Sequence, residues 1–240
     1  MSACSTRFLA AFNEIEDCLR VALEADEHVE FAQMARAYAD KRRLRLPQRD
    51  ALLAFASLRN AITHGRYYDG HPIAEPVPEV VDQIEQLRDQ IKSPPKALTV
   101  LGVMDVCTAR PDEPISAVLE YVRRFDYSQL PVYGETGCIG ILTTNAIARW
   151  LAHQLTINEG FAEEEPVSRV LGFAEPHERA LLVPRSITAT EAIDRLGHGG
   201  KACTPVTALI VTDNGKDTEK PLAVIVADDL PALTEALEFT

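Results

Sequence analysis

The chain has 240 residues, of which 46% are hydrophobic and 25% charged, with a formal net charge of −12. That length and apolar content suit one large or two ordinary folded domains, and the acidic balance argues against a generic nucleic-acid binder; no DNA partner is expected. The longest apolar run, residues 222–227, is far short of the roughly 20 residues of a membrane span, and the N-terminus lacks a basic start followed by an apolar signal core, so a cytoplasmic protein without a membrane partner is expected.

Cys4, Cys18, Cys107, Cys138 and Cys203 are odd in number, scattered and without a Cys-x-x-Cys pair. They suggest neither a disulfide framework nor a zinc site, and read as reduced small hydrophobes. No metal is expected, because His28, His71, His153, His177 and His198 also lack ligand spacing. The charge is uneven: residues 1–95 hold 12 Lys+Arg against 15 Asp+Glu, net −3, leaving 12 against 21, net −9, for residues 96–240.

Apolar residues recur at helical spacing in Phe8, Leu9, Phe12, Ile15, Leu19, Ala22 and Leu23, and again in Phe31, Met34, Ala35 and Tyr38, predicting two helices. A basic cluster follows in Lys41, Arg42, Arg43, Arg45 and Arg49. Such runs usually face water, although this one also suits an RNA backbone. A third helix starts at Pro47 and runs to His64 before Gly65, and a fourth carries Val80, Val81, Ile84, Leu87 and Ile91. Four helices with short connections predict a bundle over residues 1–93; Pro94 and Pro95 open a linker over 94–99.

From residue 100 the texture changes. A helix is predicted over 115–125, strands over 129–134 and 138–144, and a helix over 145–155. About 75 residues later the order recurs, with a helix over 187–197, strands within 207–216 and 222–229, and a helix over 230–237. This self-similarity indicates an internal duplication. The stretch 103–147, with its Pro-Asp-Glu-Pro before the helix, Leu-Pro-Val strand and Gly-Ile-Leu-Thr segment, resembles a CBS motif; residues 167–236 resemble a second, more divergent copy. The resemblance implies a tandem pair over 100–240, with motifs at about 100–155 and 166–240. It implies a regulatory module with two clefts for an adenine nucleotide such as AMP, ADP or ATP, and no required cofactor.

In that family the last strand enters its helix through Gly-x-x-Thr/Ser-x-x-Asp, whose hydroxyl and helix start hold phosphate and whose aspartate holds ribose. Here the first copy runs from Gly140 through Thr143, Thr144 and Asn145 to Ala146, keeping the hydroxyl and losing the aspartate. The second runs from Ala223 through Val226 to Asp228 and Asp229, keeping the aspartate and losing the hydroxyl. The alternative is that Thr143, Asp228 and Asp229 only cap helices. Residues 197–201 fail as a phosphate loop, since Arg195 stands where its first glycine belongs and Ala202 follows Lys201.

The Arg59-Asn60-x-x-x-His64 pattern near the end of a bundle helix resembles the HEPN family, in whose catalytic members this motif cleaves RNA without metal across a dimer. The resemblance implies His64 for proton transfer, Arg59 on phosphate and Asn60 orienting the histidine. Arg59 and His64 lie about 140° apart around a helix, so a partner protomer is expected to complete the site. The alternative is an ordinary helix end, His64 favouring the C-terminal dipole. The sequence thus predicts an α+β homodimer, a HEPN-like bundle followed by a CBS pair. Its output is either RNA cleavage under nucleotide control or non-catalytic docking of a protein partner.

Overall fold

The computed structural model describes residues 2–41, 43–64, 73–157, 163–198 and 205–239. Arg42, Gly65, His71, Lys201 and Cys203 lie outside them. The chain divides into two compact units: residues 1–95 with 188–191 and 233–240, and residues 96–187 with 192–232.

The first unit contains α1 (Ala3–Leu23), α2 (Phe31–Asp40), α3 (Leu46–His64) and α4 (Pro78–Lys92). Ser2 caps α1 by accepting the Ser5 N–H, and Glu24 ends it in the left-handed conformation. The predicted periodicity becomes one apolar core: Phe8, Phe12, Ile15 and Leu19 of α1 meet Met34, Leu52 and Phe55, and Val81, Ile84 and Leu87 of α4. Each such side chain contributes about 1.5–3 kcal/mol through burial. Phe8 packs edge-on to Phe55 at 5.9 Å. Gln48, buried in the first turn of α3, accepts the Arg45 N–H at 2.9 Å and donates to Gln90 at 2.8 Å, so its amide is satisfied at both ends. Arg7 to Glu85 and Lys92 to Glu14 tie α4 to α1 on the exposed side, where ion pairs contribute little.

The second unit opens with α5 (Ala97–Leu101), a short helix inside and beyond the expected linker. It continues with α6 (Ile115–Phe125), the hairpin β1 (Gln129–Gly134) and β2 (Gly137–Thr143), α7 (Thr144–Thr156) and α8 (Val167–Leu171). Then come β3 (Ala180–Pro184), α9 (Ala189–His198, whose first turn groups with the helical unit), β4 (Ala208–Thr212), β5 (Ala223–Ile225), a 3₁₀ turn (Ala227–Asp229) and α10 (Leu230–Glu235). β3 pairs with β4 in parallel, and β4 with β5 antiparallel. The first copy repeats this pattern in reduced form: Ala109 bridges Val132 of β1 in parallel, and β1 pairs with β2 antiparallel. The duplication is therefore one of strand topology as well as of sequence pattern. β4 is buried at all five positions, as a central strand covered on both faces must be. Trp150 sits fully buried with Ile115, Val132, Leu142 and Val167 in the core of the first copy.

Gly137 shows how closely the two copies pack. Its φ is +131°, and a Cβ there would lie 2.6 Å from the Asp217 carbonyl oxygen. The next residue, Cys138, donates its N–H to that oxygen at 2.9 Å. The loop carrying Asp217 is held by Glu219, whose carboxylate accepts from the Thr212 hydroxyl and from the Asn214 backbone and side chain. These donors, Asn214 first, hold the Glu219 carboxyl down at about 2.

Candidate functional site

The second copy ends in an open cleft of about 240 Å³, lined by Asp105, Tyr127, Ser128, Val224, Val226 and Asp228 among others. Tyr127 is placed by the turn after α6, where Asp126 takes the left-handed conformation that stops the helix. Burial, then a hydrogen bond with Cys107, holds the Tyr127 phenol above its ordinary range. Three carboxylates line the cleft, Asp105, Asp126 and Asp228, and no lysine or arginine does among the described residues.

Of the two aspartates after β5, only one faces this space. The Asp229 carboxylate turns back and accepts the Val226 N–H at 2.8 Å. That is the reverse half of a capping box, and valine supplies no oxygen for the other half. Asp228 is exposed and lines the cleft. The residue at the motif's aspartate position is thus spent on the turn, while its neighbour is free to meet a ligand.

The first copy is arranged otherwise. Thr143 is 3% exposed; its hydroxyl accepts the Ala146 N–H at 3.0 Å, capping α7, and donates to Glu178 at 2.6 Å. Glu178 also accepts the Glu175 N–H at 2.8 Å and pairs with Arg149, whose Nε donates to the Phe173 carbonyl at 2.8 Å. Ala146 is fully buried, whereas Thr144 and Asn145 are exposed on the first turn of α7. Neither makes a hydrogen bond in this network.

In the helical unit, Arg59 donates to the Asn60 side-chain oxygen at 3.2 Å, and its Nη1 lies 3.5 Å from His64 Nε2. The three side chains are therefore together on one chain, contrary to the expectation that a partner was needed to bring them together. The arginine is long enough to reach across the angle that separates the two Cα atoms on the helix. Arg59 also stacks 5.9 Å over Phe12. Beside it is a hollow of about 310 Å³ lined by Phe12, Glu16, Glu30, Phe31, Arg59 and Asn60. In the basic cluster, Arg43 lies over the Tyr38 ring and Arg49 pairs with Asp50 at 2.7 Å, while Lys41 is exposed.

Glu178, Arg149 and Tyr127 were not singled out from the sequence. Glu178 is 35 residues beyond Thr143 in a loop without periodicity, and no spacing signal marks it.

The CBS domain family matches residues 100–153, and this segment is a CBS domain. The first solved structures similar to the chain are low in identity. Hypoxic Response Protein I with two coordinated zinc ions is 14% identical with a TM-score of 0.40, over 57% of this chain and 96% of its own. CBSX2 in complex with AMP is 17% identical with a TM-score of 0.37, over 54% and 87%. A CBS-domain protein from Agrobacterium tumefaciens is 18% identical with a TM-score of 0.40, over 58% and 88%. No protein of curated function matches the chain significantly. No helix among the described residues is long and apolar enough to cross a membrane.

Proposed function

We propose that the C-terminal pair binds one adenine nucleotide in the Asp228 cleft and thereby regulates the helical unit. The free carboxylate of Asp228 carries this reading: it accepts hydrogen bonds from ribose hydroxyls, with Tyr127 offering a ring face to the base and Ser128 a further hydroxyl. The small volume and the three carboxylates favour AMP, with its phosphate toward solvent, over ADP or ATP. Calorimetry with AMP and ATP tests this. The expected result is one AMP per chain, bound at least tenfold more tightly than ATP, and an affinity lowered about tenfold or more in Asp228→Ala by loss of hydrogen bonds to the ribose. Absence of AMP binding, or an Asp228→Ala variant that binds unchanged, overturns it.

For the helical unit we propose HEPN-like RNA cleavage in a cytoplasmic homodimer, with docking of a protein partner as the second reading. The convergence of Arg59, Asn60 and His64 supports cleavage, since it puts a proton-transferring imidazole and a phosphate-holding guanidinium side by side. The carboxylates of Glu16 and Glu30 in the neighbouring hollow favour docking, because they repel a phosphate backbone. Incubation with mixed RNA in chelator decides between them. Under the first reading His64→Ala lowers cleavage by about 10²- to 10⁴-fold. No cleavage by the unaltered dimer, or cleavage that survives in His64→Ala, leaves docking.

A further inference from the structure

The Glu178 side chain, 2% exposed, is held like a bound ligand. One oxygen takes the Thr143 hydroxyl at 2.6 Å; the other takes the Glu175 N–H at 2.8 Å and faces the Arg149 guanidinium. Arg149 is fixed in turn by its bond to the Phe173 carbonyl. A hydroxyl at the cap of the 13-residue α7, with a guanidinium from the same helix, is a donor set that suits an oxyanion. Beside it lies a second cleft of about 320 Å³, lined by Gly140, Ile141, Leu171, Ala174, Glu178 and Leu182. This cleft borders β2 and β3; in the duplicated topology β2 corresponds to β5, which borders the other cleft.

We propose that Glu178 is the specificity-determining residue of the pair: an internal anion seated where a ligand's phosphate would bind, which closes the first cleft to nucleotides. The proposal rests on reading the pair as a nucleotide-binding module. The Arg149 guanidinium already meets two carboxylates, Glu178 and, at 3.7 Å, Glu175, so an incoming phosphate would add further negative charge against Glu178 without a second cation. The tethered carboxylate also competes at high effective concentration. The chain therefore takes one exchangeable nucleotide although its fold is duplicated.

Inorganic phosphate is the probe, with unfolding followed by circular dichroism and by the fluorescence of Trp150, against chloride of equal ionic strength. In the unaltered protein about 10 mM phosphate leaves the unfolding midpoint where chloride does. In Glu178→Ala and Glu178→Ser, which take the carboxylate away from Thr143 and Arg149, phosphate raises the midpoint saturably, with half-effect at low millimolar concentration, and adding Thr143→Val removes the gain. A variant unfolded in chloride but refolded by phosphate supports the proposal equally. If phosphate neither stabilises nor refolds either variant, or stabilises the unaltered chain as strongly, the proposal is overturned. The AMP titration of Asp228→Ala concerns the other cleft, so either reading can fail while the other holds.

Discussion

Thr143→Val removes one hydroxyl from a closed site without changing its volume much, which makes the energetics simple to work through. The Ala146 N–H, bonded at 3.0 Å and buried, loses its acceptor; loss of such a cap costs about 1 kcal/mol. Glu178 loses its 2.6 Å donor, and a hydrogen bond to a charged group contributes about 1.5–3 kcal/mol. Because Glu178 keeps Arg149 and the Glu175 N–H, the lower end applies, giving a total of about 2–3 kcal/mol. Trp150, the single tryptophan, is buried in the same core, so its fluorescence in a urea titration reports on this unit. With a slope of about 1–3 kcal/mol per molar urea, the midpoint should fall by roughly 0.7–3 M. Thr143→Ser keeps the hydroxyl and should fall by less than half as much. A midpoint unchanged in Thr143→Val, or a serine variant as damaged as the valine one, would refute the claim that this hydroxyl is a structural cap rather than one waiting for phosphate.

Gly137→Ala puts a methyl against the Asp217 carbonyl at 2.6 Å in a backbone conformation that L-residues avoid. A loss of about 1–3 kcal/mol is expected in the same titration, and full retention of stability would show that the turn can shift away. Glu219 predicts a pH dependence. Its folded value of about 2 lies below the ordinary 4.5, so the stability it contributes is present above pH 4.5 and is lost as the pH falls through about 2. The midpoints of the unaltered protein and Glu219→Gln should therefore differ at neutral pH and converge toward pH 2; a constant gap would mean that the loop does not hold the charged form.

Much of the fold was legible because apolar spacing records which face of an element is buried. Phe8, Phe12, Ile15 and Leu19, and Val81, Ile84, Leu87 and Ile91, were all predicted on helical spacing and all lie in the core. The elements of the CBS domain over 100–153 were equally readable, as were the later strands β4 and β5. α5 was hidden, because five residues beside a Pro-Pro pair carry too little periodicity to separate a helix from a linker. The sites were harder to read. Side-chain reach decides whether Arg59 meets His64, and an angle around the helix axis leaves that reach out. Backbone direction after Val226 decides which of two adjacent aspartates faces the cleft. Glu178 has no local pattern, since its partners Thr143 and Arg149 come from a different part of the chain.

The unequal fates of the two clefts bear on how the module would answer a changing nucleotide concentration. On the proposal that Glu178 closes one of them, a chain has one nucleotide site rather than two interacting ones. Its occupancy then follows a simple hyperbola, rising from about 10% to 90% over roughly an 81-fold range of ligand, because no second site on the same chain can sharpen the curve. Such a device tracks concentration gradually, as a dial does, and any steeper, switch-like response would have to arise between paired chains.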